Sequence, residues 1–94
     1  MSKEEQLEEY SDYNTVQKRA KKLKLNKILV STRKNKKYMV QNDDGKYIHF
    51  GAWGYTDATR HMDQKRIDNF KKRNHKWANA DKYTPAYLSY YLLW

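Results

Sequence analysis

Lys65, Asn69, Lys72 and Lys76 stand at i, i+4, i+7 and i+11, with Arg73 beside them. On a helix this spacing stacks side chains along one face. Such a row suits phosphate chemistry: each cation that neutralises a phosphate releases a counterion, which gives affinity that falls with salt. Asn69 carries an amide donor and acceptor that fit the adenine edge in a major groove. A second group of cations, Arg33, Lys34, Lys36 and Lys37, brackets a short connection further upstream. Contacts of this kind hold a backbone in place without reading its sequence. These nine residues are the candidate nucleic-acid contacts.

Catalytic chemistry finds less support. His49, His61 and His75 are far apart, and Asp57 and His61 are separated by four positions. A histidine-metal nuclease would draw on His61, His75 and an acid, but the compact ligand spacing of a metal motif is missing. His61 reads better as a hydrogen-bonding residue in a loop or at a helix start. No G-x-x-x-x-G-K-[ST] loop occurs, which removes the usual signature of nucleotide hydrolysis. With no cysteine in the chain, disulfides and thiolate zinc sites are excluded, and an intracellular site of assembly is allowed. The expectation is a non-enzymatic protein with no catalytic residue, no metal and no cofactor.

The cationic row needs a helix to carry it. Asp63 is a suitable N-cap for one that runs to about Trp77, with Ile67, Phe70 and Trp77 as its apolar stripe. Upstream, Ile28 to Thr32 is rich in branched residues. Lys36 to Gln41 and Lys46 to Phe50 alternate, with Tyr38 and Val40 facing away from Lys37 and Met39, and Ile48 and Phe50 away from Tyr47 and His49. Asp44-Gly45 is a tight-turn signal, because glycine accepts positive φ. The pattern predicts a three-stranded antiparallel meander. In the loop 51–57, Trp53 or Tyr55 is expected to fill the space between sheet and helix. Aromatic rings in such a place are core residues before they are base-stacking platforms.

Toward the N-terminus, residues 1–13 form an acidic arm in which Leu7 and Tyr10 are the large apolar side chains. Asn14 or Thr15 could cap a helix through Leu25, with Val16, Ala20 and Leu23 on one face and lysines over the rest. The arm could fold over basic surface when no partner is present. At the other end, Thr84 and Pro85 start the segment PAYLSYYLLW, threonine as cap and proline in the first turn, where its missing N–H removes no bond. Its ten residues would make a helix of ~15 Å, too short for a bilayer. It is expected to bury against its own domain; the alternative is docking on another chain through Tyr87, Leu88, Tyr91 and Trp94.

Composition agrees with a single domain. The chain has 94 residues and a net charge of +9. Residues 1–12 hold one lysine against five acids, a net of −4, which leaves +13 on the rest. A basic body of this kind favours a polyanionic partner: nucleic acid, an acidic protein or an anionic surface. Nine Tyr, three Trp and two Phe let a short chain build a core from few positions. No signal peptide and no run of ~20 apolar residues is visible.

With these segments laid out, the chain resembles a family of small basic proteins encoded by large double-stranded DNA viruses and some phages, most of them uncharacterised. The likeness rests on Lys36-Lys37-Tyr38, on Lys46 with Phe50-Gly51, and on Gly54-Tyr55, Asp57, Thr59 and His61. It continues through Arg66, Phe70, Arg73 and Lys76 and ends in Leu92-Leu93-Trp94. It covers about two thirds of the chain and leaves residues 1–26 outside. The resemblance implies a viral origin and a place in the virion, and it carries over no catalytic residue. The β-β-β-α order is also similar to small domains that lay a three-stranded sheet in the major groove.

The resulting expectation is an α+β protein: an N-terminal helix, a three-stranded antiparallel meander, a long basic helix packed on the sheet, and a short apolar C-terminal helix, with residues 14–94 as one domain behind the arm. Its function is sequence-tolerant binding of viral nucleic acid, with double-stranded DNA as the favoured partner and the sequence itself not separating DNA from RNA. It acts in the virion, or inside the host cell during genome packaging or core assembly. The alternative is a minor capsid or cement protein that docks to larger coat proteins through its aromatic tail and charged arm. Where Tyr87, Tyr91 and Trp94 point separates the two: buried in their own domain they favour the nucleic-acid reading, exposed they favour assembly.

Overall fold

A computed structural model of the chain describes residues 2–94. Two helices, α1 (Lys3–Leu7) and α2 (Tyr13–Lys22), precede three strands, β1 (Ile28–Val30), β2 (Lys36–Gln41) and β3 (Tyr47–Ala52). Then come α3 (Ala58–His61), α4 (Gln64–Arg73), a 3-10 turn at His75–Asn79, and α5 (Pro85–Leu88), which continues as a π-helical turn through Ser89–Leu93. The fold is α+β, with the sheet antiparallel in the order β1-β2-β3 and helices on both sides of it in sequence.

The strands form where alternation and turn chemistry agree. Ile28 pairs with Val40, and Val40 with Ile48; Val30 pairs with Tyr38, and Tyr38 with Phe50. This register points Ile28, Tyr38, Val40 and Phe50 into the core. The second hairpin turns at Gly45, with φ of +84° and its N–H donating to Asn42 O at 3.1 Å. The remainder of the core comes from Leu7, Val16, Ala20, Leu88, Leu92 and Leu93.

The C-terminal segment packs into its own domain through its leucines, with its tyrosines and Trp94 half-buried. Thr84 Oγ1 accepts from Tyr87 N–H, as its cap position predicts, and Leu88, Leu92 and Leu93 are fully enclosed. The arm is also part of the packing. Leu7 belongs to the core cluster, and the Tyr10 ring meets Trp53 edge-on at 5.6 Å. A single buried leucine gave no helical period, so the sequence pattern understated this anchor. In α2 the cap is Asp12 rather than Asn14 or Thr15, and Thr15 Oγ1 donates to Asp12 Oδ2 at 2.8 Å.

Two expectations about α4 are corrected. The helix ends at Arg73, four residues before Trp77, because Asn74 turns both its N–H and its side-chain amide back onto Phe70 O. The helix also buries none of its residues. Its apolar face meets the C-terminal segment instead of the sheet: Phe70 stacks on Trp94, with ring centroids 4.4 Å apart and planes 8° apart. Lys71 lies over Tyr90. What the sheet packs against is drawn from α2 and the buried leucines of the C-terminal segment.

Candidate nucleic-acid interface

The cations of α4 project from a capped, outward-lying helix. Asp63 Oδ1 accepts from the N–H groups of Lys65 and Arg66, which fixes the helix start. Lys65, Asn69, Lys72 and Arg73 are all exposed, and so is Lys76. Lys76 falls in the 3-10 turn, so it continues the charge of the row but not its helical register. Among the described residues the ion pairs are Lys37–Asp57 and Arg60–Glu8. None of the α4 cations is in an ion pair; Asp68, the acid within the helix, accepts from Gln64 Nε2 instead.

In the first hairpin, Arg33 and Lys34 are exposed at the connection between β1 and β2, and Lys36 is half-buried at the start of β2. The connection is held from below by Lys3, whose Nζ donates to Ser31 O at 2.7 Å and to Arg33 O at 2.5 Å. Lys37 must be removed from the candidate contacts. Its side chain is 2% exposed, and its Nζ donates to Asp57 Oδ2 at 3.0 Å. Alternation placed it on the outer face with Met39, but Gly51 and Leu93 close around its stem. Burial pulls the Lys37 pKa down and the Asp57 carboxylate pulls it back up.

Asp57 is the hub of a buried polar chain. Its Oδ1 accepts from Thr59 N–H and from the Thr59 hydroxyl. Thr59 Oγ1 lies 3.1 Å from Ser11 Oγ and accepts from Asp12 N–H at 2.8 Å. Tyr38 O–H donates to Ser11 Oγ at 2.7 Å. With the tyrosine as donor at one end and the carboxylate as acceptor at the other, every hydroxyl has a consistent direction. Burial raises the Tyr38 pKa well above its ordinary value, so the phenol stays protonated. This chain links the α1–α2 connection, β2, the loop after β3, and α3. The Asp57 and Thr59 of the sequence motif are structural by this geometry.

The histidines do not come together. His49 Nδ1 is 2.6 Å from Ser31 Oγ, His75 Nδ1 is 3.2 Å from Lys72 O, and His61 Nδ1 accepts from Asp63 N–H at 2.9 Å. The His61 ring lies 5.2 Å from Trp94. Burial lowers the pKa of His49 and of His61, and nearby cations add to the effect, Arg33 first for His49 and Arg66 for His61. Among the described residues no group of three or more His, Cys, Asp or Glu side chains could hold a metal ion. No helix among them is long and apolar enough to cross a membrane.

Of the docking candidates in the tail, Leu88 is inaccessible, which removes it as a contact for another chain. Tyr87 and Tyr91 are half-buried against each other, and Tyr91 O–H donates to Ala78 O at 2.8 Å. Trp94 is half-buried between His61 and Phe70.

Pattern reading missed a cleft of about 530 Å³ between the end of the sheet, α4 and the C-terminal segment. Lys36 and Arg66 line it together with Tyr55, Phe70, Trp77 and Trp94. Lys36 of the first hairpin and Arg66 of α4 thus share one cleft. Tyr55, 72% exposed, does not fill the space between sheet and helix, and Trp53 packs on Tyr10 instead; Trp77 is 36% exposed. The available signal was Arg66 and Phe70 at i and i+4, which puts a cation and a ring on one helical face.

Residues 26–77 match the model of a family of unknown function (DUF5754). The chain belongs to that family. The DUF5754 segment takes in the whole sheet, the Lys37–Asp57 pair, α3, α4 and the cleft residue Trp77, and stops before the buried aromatic tail. No curated protein and no solved structure matches the chain.

Proposed function

We propose that this protein is a non-enzymatic, sequence-tolerant nucleic-acid-binding protein of a virus particle, acting in genome packaging or in the core, with double-stranded DNA as its favoured partner. The observation that carries the reading is the outward face of α4. It presents Lys65, Lys72 and Arg73 around Asn69, all exposed and none of them in an ion pair among the described residues, with Asp68 as the one acid inside the helix. Unpaired cations on a helix lose little on meeting phosphate, because no internal ion pair has to break. Lys36 adds a cation on the sheet side of the cleft, and Arg33 and Lys34 stand exposed just before it in the first hairpin. Tyr87, Tyr91 and Trp94 are half-buried against their own domain, and Leu88, Leu92 and Leu93 are enclosed in it, which supports an autonomous binding module over a capsid cement whose tail waits for a partner.

The test is charge reversal. A variant with Lys65, Lys72, Arg73 and Lys76 changed to Glu should lose binding to a labelled duplex at physiological salt. A control with Lys18, Lys21, Lys22 and Lys24 changed to Glu makes the same change of net charge on another surface and should retain most of it. Equal loss in both variants would assign the affinity to net charge alone and overturn the α4 interface.

A further inference from the structure

We infer that the cleft between the sheet end and α4 receives an unpaired base of a nucleic-acid strand, with the adjoining phosphates held by Arg66 and Lys36. The inference rests on the nucleic-acid reading above and adds a preference that the α4 row alone does not supply. Four features argue for it.

The wall on the helix side is aromatic and preset. Trp94 stacks on Phe70, and Trp77 meets Phe70 edge-on at 5.8 Å. Trp77 and the more exposed Tyr55 are the rings left open to a ligand, and neither has a hydrogen bond through its side chain. Open rings on a basic surface are what base stacking uses, and stacking tolerates any base because each has a π face. A proline-rich peptide would also accept rings, but it has no use for the cations.

Those cations form the second feature. Lys36 and Arg66 line the cleft without an ion pair, whereas Asp57, the acid that also lines it, is already neutralised by Lys37. The cleft is therefore positive, as a phosphate-bearing ligand requires. Third, its volume of about 530 Å³ lies in the range of small-molecule sites, large enough for one nucleotide and too small for a duplex. Fourth, Gly51 lines the cleft with no side chain of its own, at a point where a Cβ would crowd Leu93 and the stem of Lys37 at 3.1–3.3 Å.

The experiment compares a labelled oligo-dT single strand with a blunt duplex of equal length, at one ionic strength. It uses the full chain and the variants Trp77→Ala and Tyr55→Ala, both at exposed rings where folding should survive; circular dichroism and thermal melting check that it does. The expected result is a loss of roughly ten-fold or more for the single strand in each variant, with duplex affinity changed less than about two-fold. Quenching of tryptophan fluorescence by the single strand should fall in Trp77→Ala. Equal loss on both ligands, or no loss on either, would overturn the base site. If duplex binding is intact and lost only on α4 charge reversal while the ring variants do nothing, the nucleic-acid reading stands and the cleft assignment falls. If the wild-type chain binds neither ligand at physiological salt, both fall.

Discussion

Lys37 Nζ and Asp57 Oδ2 meet at 3.0 Å with both side chains 98% removed from solvent. The pair joins β2 to the loop that leads into α3, across twenty positions of sequence. A lysine that looked like a phosphate contact is thereby a structural clasp. Removing one partner of a buried pair leaves an uncompensated charge, so Asp57→Ala should lower stability by about 3–5 kcal/mol. Asp57→Asn keeps an acceptor for Thr59 N–H. Combined with Lys37→Met it should cost at least about 1 kcal/mol less than the sum of the single changes. Urea unfolding of the four proteins measures the coupling; strict additivity would mean the pair does not act as a unit.

Acid should weaken the fold before it protonates carboxylates. His49 and His61 have folded pKa values below the ordinary 6.5. The unfolded chain therefore binds more protons in that window. Their contribution is fully present above pH 6.5 and is lost as pH falls through that value toward the lower folded ones. The melting temperature should drop between pH 7.5 and 5.5, and His61→Gln should make the drop shallower. A melting temperature that stays flat or rises over this range would contradict the burial of the two rings.

Two glycines with similar positive φ separate strain from crowding. Gly51 and Gly54 have φ of +82° and +90°, but a Cβ on Gly51 would lie 3.1 Å from Leu93 Cδ1 and 3.2 Å from Lys37 Cβ, while one on Gly54 meets nothing within 4 Å. Gly54→Ala should cost about 1 kcal/mol, the left-handed backbone alone. Gly51→Ala should cost about 2–4 kcal/mol, because overpacking adds to it. Chemical denaturation of both variants checks the order, and equal values would refute the close approach of Leu93.

The position of α4 depends on Phe70 and Trp94. With no fully buried residue of its own, the helix is held by this stack and by Lys71 over Tyr90. Trp94→Ala should remove about 2–4 kcal/mol. It should also speed hydrogen exchange of α4 amides more than those of β2, since a helix this exposed is marginal without tertiary support. Uniform acceleration across both elements would place the stack in the global core instead.

These contrasts show which parts of the chain were readable. The strands and their order could be read from Tyr38, Val40 and Phe50 because alternation and the Asp44-Gly45 turn point the same way. The caps at Asp63 and Thr84 could be read because capping is local chemistry. Lys37 could not, since its partner lies twenty residues away and alternation assigned it to solvent. Leu7 could not, because one leucine makes no period. The stop at Asn74 and the redirection of Phe70 toward Trp94 depend on where the last residues of the chain fold back, which no window of sequence contains. The α4 cations were legible as a row, and the cleft beside them was not, since its walls come from four separate segments.

The central claim is that α4 is a phosphate-binding surface. The most direct measurement is duplex affinity as a function of salt for the wild-type chain and for a variant with Lys65, Lys72, Arg73 and Lys76 changed to Gln. With about five phosphates neutralised, log affinity should fall against log salt with a slope of about −4 to −5, and the variant should flatten it to about −1 to −2. A wild-type slope near zero, or a variant slope equal to that of the wild type, would contradict the assignment.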